Sequence, residues 1–174
     1  AAANGHVDVL GALLRAGAAV NQATDGGITL LIIAAKDGRG NVADLLVAHG
    51  ATVDQATEDG STPLMFAASR GQTGAVDVLV AAGANVNKAG PDGATPLFFA
   101  SREGHAGNDH ADIVDLLIAT GANVDDAWAD ATPLNVAAHF GRSDVVEMLI
   151  ENGADDKASA DGASSLHAAA HFGH

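Results

Sequence analysis

The 174 residues suffice for one ordinary domain, or for a short stack of repeated units that share a core. Aromatic side chains make up only 3% of them while glycine contributes 21 residues, so a bulky globule is disfavoured and slender layers of Ala, Val and Leu are expected. A formal net charge of −14 repels phosphate backbones and anionic lipid, which argues against nucleic acid as a partner, and the absence of cysteine excludes disulfides and cysteine-based zinc sites.

No apolar run approaches the length of a membrane span, and no basic-then-apolar leader precedes Asn4-Gly5-His6, so no membrane insertion is expected and the expected location is cytoplasmic or otherwise intracellular. Along the chain, a Gly-Ala pair recurs at residues 17, 50, 83, 121 and 153, spaced by 33, 33, 38 and 32. A second series runs in step with it: Thr29-Leu30-Leu31, Thr62-Pro63-Leu64, Thr95-Pro96-Leu97, Thr132-Pro133-Leu134 and Ser164-Ser165-Leu166. Thr followed by Pro suits a helix start, because the hydroxyl serves orphan amides and the missing proline N–H costs nothing there. Each such helix is predicted to end about two turns later at Gly38, Gly71, Gly104, Gly141 or Gly173, in the left-handed conformation that closes a helix.

A second helix is predicted after each of the first four glycines, carried by Val42-Leu45-Leu46, Val76-Leu79-Val80, Val114-Leu117-Ile118 and Val146-Leu149-Ile150, and ended by the Gly-Ala pair. Ala34-Ala35, Ala67-Ala68 and Ala137-Ala138 let the first helices approach their neighbours closely. Turn-rich stretches such as "TVDQATEDG" and "NVNKAGPDG" fit extended hairpins between modules. Five extra residues within "HAGNDHAD", after Gly104, are expected to bulge between two helices without disturbing the stack.

Helix, turn, helix and hairpin at a period of 33, with T-P-L and A-A in fixed places, resembles the ankyrin repeat. The resemblance covers essentially the whole chain and implies an all-α solenoid of helix-turn-helix units joined by hairpin-like loops. The modules divide as a partial repeat at 1–23, full repeats at 24–56, 57–89, 90–126 (with the insertion) and 127–158, and a partial repeat at 159–174. Neither end shows the polar capping module of a solenoid, so a piece of a longer array, or the ordered part of a larger protein, is expected, with the oligomeric state left open. The family's His after T-P-L is replaced by Ile32, Met65, Phe98 and Asn135 and kept only as His167; each lost side-chain bond is worth about 1 kcal/mol. Asp130 stands where the hairpin would have Gly.

Catalytic chemistry finds little support. No nucleophile elbow, phosphate loop or dinucleotide fingerprint is present, so no enzyme and no cofactor is expected. His167 and His171 are four apart on a helix, but without an HExxH pattern; His105, Asn108, Asp109 and His110 offer mixed ligands in a stretch that reads as a solvated bulge, and His6 and His174 read as scaffold. No metal site is assigned.

The resemblance implies instead a protein or peptide partner bound on a concave face made by hairpin tips and first helices. The two residues before each helix-ending Gly would face it: Ala3-Asn4, Lys36-Asp37, Ser69-Arg70, Arg102-Glu103, His139-Phe140 and His171-Phe172. Trp128 is placed at a hairpin tip beside the exposed aromatics, Phe66 and Phe99 are assigned to the core, and Glu58, Asp59 and Asp92 form acidic tips able to steer basic segments. The expected function is a non-catalytic interaction scaffold or adaptor; the alternative is a regulatory or targeting segment of a larger enzyme or channel whose catalytic part lies elsewhere.

Overall fold

The computed structural model describes residues 7–90, 92–103, 109–129, 131–156 and 164–172, with backbone only at 109 and 172. Among the described residues there are ten helices and no strand: α1 (Val7–Arg15), α2 (Leu30–Lys36), α3 (Gly40–Ala48), α4 (Pro63–Ser69), α5 (Thr73–Ala81), α6 (Pro96–Glu103), α7 (Asp109–Ala119), α8 (Pro133–His139), α9 (Ser143–Glu151) and α10 (Ser165–Phe172). This is the all-α repeat solenoid class. Even-numbered helices are the inner helices opened by the T-P-L series, and odd-numbered ones are the outer helices that follow.

Inner helices start where the Thr series predicts. The buried hydroxyls of Thr29, Thr62, Thr95 and Thr132 accept from the amides of Ile32, Met65, Phe98 and Asn135 at 3.2, 3.2, 3.3 and 3.2 Å, satisfying one orphan donor each. They close at Gly38, Gly71 and Gly141, whose φ angles of 67, 66 and 67° lie in the left-handed region. Leu31, Leu64, Leu97 and Leu134, the L of each T-P-L, are at most 2% exposed, and the alanine pairs beside them let helices meet closely.

The chain forms two compact units, Ala1–Asn85 and Val86–His174. In the first, α2 packs on α3 and α4, and α5 on α3 and α4; in the second, α6 packs on α7 and α8, and α8 on α9 and α10. The outer helices bury a different set from the one the apolar spacing predicts. Val42, Ala43 and Leu46 are sealed on α3 while Leu45 is only half-buried, and Ala75, Val76 and Leu79 are sealed on α5 while Val80 is half-buried. Burial therefore falls four, five and eight places after the helix-closing Gly, a stripe at i, i+1 and i+4 that faces both the inner helix and the neighbouring outer helix.

A side-chain ladder that the sequence reading does not anticipate joins successive loops within each unit. Asn21 donates to the carbonyl of Gly50 at 3.1 Å and accepts from the amide of Thr52 at 2.8 Å. Asn87 repeats both bonds with Gly121 (2.9 Å) and Asn123 (2.8 Å). Asp54 and Asp125, in the same place of their modules, accept from the amides of Asn85 (3.2 Å) and Asp155 (3.1 Å). A carboxylate has no N–H to donate, so the carbonyl half of the bond is an Asn property.

The hairpins are of two kinds. Thr24, Thr57 and Gly90 donate their amides to the carbonyls of Ile28, Ser61 and Ala94, four residues on. Trp128 donates to Ala131, three residues on, at 3.0 Å, and Ala131 returns the bond at 2.9 Å. This hairpin is one residue shorter, which accounts for the 32-residue spacing between Gly121 and Gly153. Asp130, which the sequence puts in the place of the hairpin Gly, lies outside the described residues; the left-handed residue seen is Ala129, at φ 47°.

Candidate protein-binding groove

Phe98 occupies the slot of the family's His and is 1% exposed, forming a core cluster with Ala94 and Val136 against which Phe99, Trp128 and Ala131 pack. The Trp128 ring meets Phe98 edge-on at 5.2 Å between centroids. Trp128 is half-buried and opens the shortened hairpin as its first paired residue, rather than sitting at its tip as the sequence suggests, and its side chain lies against Phe98 of α6 and Val136 of α8. Phe66 and Phe99, expected in the core, are only half-buried. Phe99 lies edge-to-face on Phe98 at 6.2 Å and carries the Arg102 guanidinium over its ring at 5.5 Å, a cation–π contact.

These residues border an open groove of about 420 Å³ in the second unit. Its apolar wall is Phe98, Trp128 and Phe140; its polar points are Arg102, Asn135, His139 and Ser164. His139, the last residue of α8, and Phe140, its C-cap, stack edge-to-face at 4.7 Å, and Phe140 remains 42% exposed. Arg102 Nε donates to Glu103 Oε1 at 2.7 Å, so the groove's guanidinium arrives partly neutralised.

Asn135 holds the floor. Its Oδ1 accepts from both the amide and the hydroxyl of Thr132 at 3.1 Å, and its Nδ2 donates to Ser165 Oγ at 3.0 Å in the next module. The bond expected to be lost with the family's His is therefore remade by a carboxamide, and extended to the neighbouring repeat. His167, which keeps the family residue, brings Nδ1 within 3.0 Å of Ser164 Oγ, with Ser in the place of Thr.

The remaining expected site residues are not gathered in this groove. Lys36 ends α2 and Arg70 caps α4, both exposed in the first unit. Asp37 pairs with Arg39 at 3.7 Å rather than with adjacent Lys36. Glu58, Asp59 and Asp92 are exposed on hairpins, as expected of acidic tips, and His171 is exposed on α10 without bordering the groove. The Thr57 hydroxyl, followed by the Ser61 amide, holds the Asp59 carboxyl below the usual aspartate range. The side chain of Phe172, and Ala3, Asn4, His6, His105, Asn108 and His174, lie outside the described residues. His110 is 8% exposed at the start of α7. Among the described residues no three His, Asp or Glu side chains gather as metal ligands, and no helix is long and apolar enough to cross a membrane.

A family model described as ankyrin repeats (3 copies) matches residues 1–90, 53–126, 87–160 and 106–174, which together span the whole chain. The chain belongs to the ankyrin-repeat family. Ankyrin repeats are generally protein–protein interaction modules and typically non-catalytic, so the chemistry to look for on this ankyrin array is recognition. A comparison with curated proteins returned no match.

Proposed function

We propose that this ankyrin-repeat chain is a non-catalytic adaptor that binds a protein or peptide segment, with the groove of its second unit as the anchor site. The observation that carries this reading is the convergence of Trp128, Phe140, His139 and Arg102 on one open, largely apolar concavity. Such a site accepts one bulky aliphatic or aromatic side chain against Trp128 and Phe140, while His139 and Ser164 offer polar contacts to the backbone beside it. Lys36 and Arg70 on the first unit, and His171 with Phe172 on α10, are secondary contacts in this reading. Glu58 and Asp59 on the first unit and Asp92 on the second, in a chain of net charge −14, favour a partner that carries basic residues. Rigid inner helices reduce the ordering cost of binding.

The test is a displayed-peptide selection against the 174-residue protein, scored on the parent and on Phe140→Ala and His139→Ala. Phe140 is exposed, so its loss removes contact area rather than core. Enriched peptides with an apolar anchor that bind Phe140→Ala at least about tenfold more weakly support the assignment. Peptides that bind the parent and both variants alike refute it.

A further inference from the structure

The groove beside Trp128 runs against the charge of the chain. Lys and Arg number 8 and Asp and Glu 22, and the hollow between α3 and α5 is walled by Asp44 and Asp77. Among the described residues that line the groove there is no Asp or Glu, and the one Lys or Arg is Arg102. That side chain is 33% exposed. Its Nε and Nη2 donate to Glu103, which leaves the two N–H groups of Nη1 for a second acceptor.

The guanidinium also stands close to the apolar wall. Phe98 and Arg102 are four apart on α6 and share a face, so their backbones are roughly 6 Å apart along the helix axis. Phe98 in turn meets the Trp128 ring at 5.2 Å, and the Arg102 guanidinium is held over Phe99 at 5.5 Å. An apolar side chain seated on Trp128 and Phe140 therefore has Arg102 within the span of its own residue. In an extended peptide the next side chain points the opposite way, so an Asp or Glu beside the anchor turns away from the guanidinium. The carboxylate that belongs to the same residue as a bulky apolar side chain is the α-carboxylate of a chain end.

With the groove taken as the anchor site, we propose that its occupant is the C-terminal residue of a partner protein, its apolar side chain against Trp128 and Phe140 and its α-carboxylate on Arg102. A carboxylate bound by a guanidinium beside apolar walls is a charge-assisted contact, which a terminal amide cannot reproduce. Glu103 sets the strength of this grip: it shares the guanidinium, so it weakens the hold on a second carboxylate. Basic residues further back in the partner suit the acidic remainder of the chain.

The test is a selection against the 174-residue protein from a peptide library displayed with free carboxyl ends. Peptides whose apolar anchor is the last residue are expected to be enriched. Each is then made as the free acid, as the C-terminal amide, and as an amide with one Glu added after the anchor. The acid is expected to bind at least about tenfold tighter than either amide. Arg102→Gln is expected to bring the acid down to the level of the amide, and Glu103→Gln to widen the gap by about threefold, with the fold of both variants checked by circular dichroism. Acid and amide that bind alike overturn the terminal carboxylate, as do a Glu-bearing amide that matches the acid, an Arg102→Gln protein that keeps the preference, or a gap that Glu103→Gln narrows. If such peptides still lose affinity for Phe140→Ala, the groove assignment survives. Binding indifferent to Phe140→Ala, or no enrichment at all, removes the groove and its terminal anchor together.

Discussion

The hairpin from Thr57 to Ser61 and the one from Trp128 to Ala131 occupy the same place in their modules and solve it differently. The first spends five residues on local bonds: the Ser61 amide donates to Thr57 Oγ1 at 3.1 Å, Gly60 takes φ 84°, and the Glu58 amide donates to the Gly26 carbonyl of the preceding hairpin at 3.2 Å. The second has four residues, no glycine, and an alanine at φ 47°, and it lays an indole on the Phe98 cluster. The regular hairpin is built to stack, whereas the shortened one accepts backbone strain and places an aromatic at the groove. Departure from the repeat, rather than the repeat itself, marks the surface that differs from module to module.

Breaking the stacking hairpin has the largest expected effect. A Cβ at Gly27 would lie 2.8 Å from the Glu58 amide nitrogen, at a residue with φ 76°. Gly27→Ala is therefore expected to lose about 2–3 kcal/mol in denaturant unfolding, from the left-handed penalty and the collision together.

The slot after T-P-L separates the two hairpins' modules next. Met65→Leu removes only the weak sulfur acceptor that Met65 Sδ offers the Thr62 amide at 3.4 Å and otherwise exchanges one apolar filler for another, so it is expected to cost less than about 1.5 kcal/mol in thermal unfolding. Asn135→Leu strips the Thr132 amide and Ser165 hydroxyl of their partner, and about 2 kcal/mol is expected. Equal losses at the two positions would mean that the carboxamide of Asn135 holds its loop no better than the thioether of Met65 does.

The smallest effect is a gain. Ala129→Gly relieves the left-handed alanine but adds chain entropy to the unfolded state, for a net stabilisation of about 0.5 kcal/mol, read as a rise in the guanidinium midpoint. A fall would mean that the short hairpin carries no strain.

Much of this architecture is legible in the sequence because it rests on backbone requirements. Thr at an N-cap, Pro in a first turn and Gly at a left-handed closure are dictated residue by residue, and their recurrence places each inner helix. The outer-helix register is less legible, since Val42, Leu45 and Leu46 are apolar on more than one face and only packing decides that Ala43 is sealed in preference to Leu45. The loop ladder has a signal in plain view, an Asn or Asp four residues after the Gly of each of the first four Gly-Ala pairs, at 21, 54, 87 and 125; turn propensity alone hides its reach to the next module. The groove is half legible. Column logic brings Arg102, His139 and Phe140 together, but counting back from Thr132 conceals the missing hairpin residue, and with it the burial of Trp128. Asn135, counted as a lost bond, is its best-connected polar residue.

Trp128 is the only tryptophan in the chain and borders the groove, so its emission reports on that site alone. Titrating a selected apolar-anchored peptide into the parent protein while following this emission tests the groove assignment most directly. A saturable change in intensity or wavelength is predicted, with its midpoint moved at least about tenfold higher in Phe140→Ala. A peptide that binds by calorimetry yet leaves the tryptophan emission unchanged would contradict the assignment.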